Sequence, residues 1–180
     1  MTIESTQFNP TCCRPSMGRR FFQDVGQLLV RPGVFFGTLA DTRRLRDALI
    51  FMGLVTIIHS VPASLLMQAG GSIFIGLHML NALAMPVITA SLLYPVLRVW
   101  APGRFDFALL LAVTAYANVV VLFAWIPGLA PWAELLKYGL IGLGLTRTGG
   151  IGGWKAFGAI LCATVMLLLL FYGLQHLAGV

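Results

Sequence analysis

Glu134 and Lys137 are the only acidic and basic side chains between Asp106 and Arg147, a stretch otherwise suited to lipid. Three residues apart, a carboxylate and an ammonium share one face of a helix and can pair. Ionisable groups inside a membrane are costly and commonly mark ion or proton paths. The same two residues also suit a helix entrance. Pro131 fits a first helical position, so Glu134 would fall in the first turn, where backbone N–H groups and the helix dipole favour a carboxylate. Lys137 would then extend toward the surface marked by Trp132. The structural reading is preferred, with a protein neighbour expected against the pair.

Other polar residues in apolar surroundings are His59, His78, Asn81 and Asn118. The two histidines lie in the outer halves of adjacent apolar runs, where a shared site is conceivable and helix-to-helix hydrogen bonding is the plainer use. The two amides can tie helices together, each for about 0.6 kcal/mol. No histidine has a carboxylate, cysteine or second histidine at ligand spacing, so no metal and no cofactor are expected. Gly149-Gly-Ile-Gly-Gly153 superficially suggests a nucleotide loop, but that loop requires a preceding strand and a βαβ unit. A flexible turn between helices is the expectation. No nucleophile elbow, zinc-protease motif or pair of acids within one span occurs, and the chain is read as non-enzymatic. Cys12, Cys13 and Cys162 make neither a disulfide nor a zinc pattern. Lipidation of the vicinal pair is only weakly signalled.

These residues are positioned by a chain of 180 residues that is 58% hydrophobic and only 10% charged. Soluble domains average about 25% charged residues, so this composition cannot cover a water-soluble globule and implies an integral membrane protein. Runs of about 20 apolar residues cross a bilayer core. Five candidates follow: Ala48–Leu66, Ile73–Leu97 with a kink expected at Pro86, Phe107 to about Ile126, a short Pro131–Leu145, and Trp154 to about Leu174. The expected fold is an all-α bundle of five transmembrane helices with an N-terminal amphipathic interfacial helix. Small residues Gly139, Gly142 and Gly144 would allow close approach of a helix partner.

Charge placement sets the expected orientation. With Lys137 set aside, eleven Lys and Arg fall in the N-terminal region and the 98–104 and 147–155 connections, and none in 67–72, 127–130 or 175–180. The N-terminus is therefore expected in the cytoplasm and the C-terminus outside, as five spans require. The net charge of +6 suits anionic headgroups of the cytoplasmic leaflet, whereas nucleic-acid binding is not expected. No secretory signal is visible in the polar residues 1–18, read as a disordered tail in which Met17 is an alternative start. Residues 19–47 form an amphipathic cytoplasmic collar. Phe21, Phe22, Val25, Leu28 and Leu29 share one helical face, Arg31-Pro32 breaks it, and a second short helix carries Phe35, Phe36 and Leu39. With Arg19 and Arg20, the phenylalanines Phe21, Phe22, Phe35 and Phe36 are expected at the membrane surface. Packing beneath the bundle is the alternative. Residues 48–177 complete the membrane domain.

Several short motifs resemble the Yip family, especially its bacterial branch. They are Pro32-Gly-Val-Phe-Phe36, Phe107-Ala-Leu-Leu with Tyr116-Ala, Trp125-Ile-Pro-Gly128, Trp132, Gly142-Leu-Gly-Leu145 and Lys155-Ala156, in that order over residues 20–175. The resemblance implies a five-helix protein of the bacterial inner membrane without known catalytic residues. Eukaryotic relatives bind Rab-type GTPases and help organise vesicle traffic and membrane shape, and they carry a longer cytosolic N-terminal region than the roughly 47 residues preceding the first span here. The function expected is binding of partner membrane proteins, self-association or organisation of the bilayer, as an accessory subunit. The alternative is a small-solute or ion transporter using Glu134, Lys137, His59, His78 and Asn118.

Overall fold

A computed structural model describes residues 17–42, 45–66, 72–124, 126 and 128–177. Among these it contains seven α-helices and one 3-10 segment, and no strand. They are α1 Met17–Val30, α2 Pro32–Thr42, α3 Leu45–Leu66, α4 Ser72–Trp100, α5 Phe107–Ala117, the 3-10 segment Asn118–Phe123, α6 Ala130–Gly149 and α7 Gly153–Leu177. Two stretches are long and apolar enough to cross a membrane, Met79–Trp100 and Gly153–Gly173, and Phe107–Phe123 is a shorter apolar helix. The tail with Cys12 and Cys13 lies outside the described residues. Cys162 is a half-buried free thiol on α7.

The helix following Gly128 is longer than expected. It runs 20 residues, about 30 Å at 1.5 Å per residue. In its last turns the Thr146 and Thr148 hydroxyls donate back to the carbonyls of Leu143 and Gly144, at 2.9 and 2.8 Å, so neither leaves a hydroxyl unpaired. Arg104 closes it, donating to the carbonyl oxygens of Gly149 (3.2 Å) and Gly150 (3.0 Å). Those are among the orphan acceptors of a helix C-terminus. Gly150 is left-handed at φ 59°, a conformation glycine adopts without a Cβ penalty. A Cβ on Gly149 would overlap the Phe105 ring. The glycine run is thus a fitted helix stop rather than a flexible turn.

The expected continuous helix over 107–126 is replaced by α5, which ends at Ala117, and the 3-10 segment. Val119-Val120-Val121 lose side-chain freedom in an α-helix, and the Asn118 side chain at the junction bonds across to α4. This element is the centre of the molecule. Residues 110–120 are all buried, and α3, α4 and α6 pack around α5. By contrast, α7 packs on α4 and α6 alone among its principal contacts and keeps Leu161, Leu168, Leu169 and Tyr172 exposed.

The N-terminal helices depart from a surface collar. Phe21, Leu28, Phe35, Phe36 and Leu39 are core residues, while Leu29 is exposed and, of the four phenylalanines, only Phe22 stands out, 73% exposed. The Phe21 ring lies 5.2 Å from Phe51 of α3, and the Phe35 ring 4.8 Å from Tyr116 of α5. Phe36 lies against Gly144 of α6. The turn at Arg31 aims α2 at α6, so its narrow apolar face has protein to bury against. Packing beneath the bundle, the alternative reading, describes Phe21, Phe35 and Phe36, while Arg19 is exposed and Arg20 half-buried.

Candidate functional site

The polar groups inside the molecule gather where α3, α4 and α5 meet. Pro86 lies within α4. Lacking an N–H, it leaves the carbonyl of the residue four positions earlier, Ala82, without its usual helical donor. Asn118, only 3% exposed, supplies one from the neighbouring chain segment: its Nδ2 donates to the Ala82 oxygen across 3.5 Å, a long bond at the edge of useful geometry. One turn earlier, the Thr114 hydroxyl lies 3.1 Å from the Pro86 carbonyl oxygen and at the same distance from those of Leu110 and Leu111. One hydroxyl hydrogen is shared among three acceptors.

Thr56, His59 and Ser60 are also buried, on α3, which packs against α4, α5 and the 3-10 segment. The Ser60 hydroxyl donates to the Thr56 carbonyl oxygen at 2.7 Å. The Thr56 hydroxyl has no hydrogen-bond partner among the described residues. The arrangement can do two things chemically. It pins a proline-interrupted helix to its neighbour, and it places amide, imidazole and hydroxyl groups beside a backbone that is already irregular.

The sequence candidates divide between this core and the surface. Asn118 and His59 are in it. Asn81 is exposed and ties nothing together in the described structure. The His78 side chain lies outside the described residues, so the shared histidine site has no geometry to report. Glu134 and Lys137 do pair, but not where the helix-entrance reading places them. Because α6 begins at Ala130 and carries Pro131 at its start, Glu134 falls beyond the first turn. The pair is therefore held by its own i,i+3 spacing rather than by the helix dipole. Glu134 is 55% exposed and Lys137 17%, beside exposed Trp132, Leu135 and Leu136. The Lys137 ammonium also lies 5.4 Å from the Tyr138 ring centroid.

Of the three glycines expected at a helix partner, two face this chain itself. A Cβ on Gly144 would meet Val113 at 2.6 Å and Phe36 at 3.3 Å, and one on Gly142 would meet Ile160 at 3.3 Å. Gly139 faces open space. Thr114 and Pro86 were not among the sequence candidates. The available signal was spacing: Thr114 and Asn118 are one helical turn apart on one face, and a proline breaks the adjacent apolar run. No group of three or more His, Cys, Asp or Glu able to hold a metal is formed among the described residues.

Comparisons with protein families, with curated proteins and with solved structures found no match.

Proposed function

We propose that this chain is an integral membrane protein of five spans, α3 through α7, that acts by binding a neighbouring membrane protein or ordering the bilayer around it. The observation supporting this reading is the distribution of exposed apolar side chains. Ile57, Ile58 and Val61 on α3, Leu77 and Leu80 on α4, Leu135 and Leu136 on α6, and Leu168 and Leu169 on α7 are all exposed. They surround a separate packed core. Water-soluble monomers rarely carry so much contiguous apolar surface, whereas lipid or a protein partner covers it without cost. The Yip-like order of short motifs supports the same architecture, with the basic end of the bundle in the cytoplasm of a bacterial cell.

Transport is the second reading, with the Glu134–Lys137 pair of α6 as its ionisable groups and the buried polar residues of α3, α5 and the 3-10 segment as further polar groups within the bundle. Photo-crosslinkers at Leu136 and Leu168 in native membranes separate the two. A single discrete protein adduct, with a second copy or another chain, supports partner binding. Lipid adducts alone, together with solute flux that Glu134→Gln abolishes at normal expression, would replace it with transport.

A further inference from the structure

Five connections and helix ends converge at one end of the molecule. Arg104 of the 101–106 turn reaches the end of α6. The Arg147 guanidinium lies across Gly33 at the start of α2, its Nε 3.5 Å from where a Cβ would stand. Arg31 is two residues before Gly33, and Lys155 stands just inside α7. Topology requires positive charge near this end, but it does not require cations from distant parts of the chain to share a corner. Arg104 keeps its charge but is already engaged, its Nη1 donating to the two carbonyls it caps. The acidic residues Asp24, Asp47 and Asp106 are each engaged in contacts of their own. The side chains of Arg31, Arg147 and Lys155 form no ion pair among the described residues.

The level of this corner is marked independently. Trp100 and Trp154, 44% and 87% exposed, stand at this end of α4 and α7. The Trp100 ring packs where a Gly158 side chain would otherwise lie. Exposed tryptophans of this kind sit at the headgroup layer.

We infer that the corner formed by Arg31, Gly33 and Arg147 binds the phosphate of an anionic phospholipid headgroup. Gly33 has no side chain to obstruct the Arg147 guanidinium, and two guanidinium groups suit a phosphate through paired N–H donors. The bound lipid would clamp α2 to the end of α6, the two helices whose packing draws Phe35 and Phe36 into the core. This inference rests on the membrane reading above.

The test uses the full chain in phosphatidylcholine nanodiscs, titrated with phosphatidylglycerol and read by thermal stability and by native mass spectrometry of retained lipid. Wild type should gain stability and retain phosphatidylglycerol. R31Q with R147Q should weaken the response about thirtyfold, since each basic residue near an anionic surface contributes about a fivefold effect. R31Q alone alters an exposed side chain and should lose about fivefold while leaving the fold intact. R147K should retain part of the response. An unchanged response in R31Q and in the double variant, or an equal loss in the control R19Q, would overturn the site. Equal protection of wild type by inorganic phosphate would assign the corner to free phosphate instead of lipid. A wild-type chain that fails to enter discs would overturn the membrane reading and the lipid site with it.

Discussion

The helix α5 with its 3-10 extension and the helix α7 are both strongly apolar, yet the molecule uses them in opposite ways. Residues 110–120 are buried without exception, while the membrane-length stretch of α7 is 17% buried. Hydrophobicity does not separate them. Side-chain size does. The central element presents Ala112, Val113, Thr114, Ala115 and Ala117, whereas α7 carries Leu167-Leu-Leu-Leu-Phe-Tyr172. In lipid no hydrophobic gain distinguishes a neighbouring helix from an acyl chain, so helices associate where small side chains permit close packing and polar groups find partners. Bulky, flexible side chains serve the outer surface.

This contrast can be tested by substitutions, beginning with the largest expected effect. Phe36→Ala removes a fully buried ring wedged against α6 and should cost about 3–5 kcal/mol, read as reversible unfolding in mixed micelles. A cost under about 1 kcal/mol would return α2 to the membrane surface. Next, Asn118→Leu removes the donor to Ala82 and should cost about 1 kcal/mol. In a Pro86→Ala background the restored N–H can supply that carbonyl, so a double-mutant cycle should show coupling between the two sites. Additive losses would mean that the Asn118 amide does not serve the proline break. Smallest of all, Leu168→Ala on the exposed face of α7 should change stability by less than about 0.5 kcal/mol. A larger loss in purified protein would identify that face as an interface between copies.

Much of the helical organisation is legible in residue order. Arg31-Pro32 separates two helices, and the apolar runs locate five more, because breakers and hydrophobic length act locally. The i,i+3 pairing of Glu134 and Lys137 is legible for the same reason. The exact helix start was not, since one extra residue at Ala130 moves Glu134 out of the first turn. The fate of the N-terminal phenylalanines was also hidden. An amphipathic stripe has the same pattern whether it meets headgroups or the side of α5.

The sequence alone determines an all-helical chain with its cations concentrated toward one set of connections, because composition, proline placement and charge act without reference to distant residues. Tertiary structure decided which apolar helix lies at the centre, that Phe35 and Phe36 join the core, and that Asn118 meets the carbonyl left open by Pro86. It also decided that Arg147 crosses Gly33. Each of these contacts joins residues far apart in the chain, and only the packing of whole helices sets which small, polar or charged groups come within reach of one another.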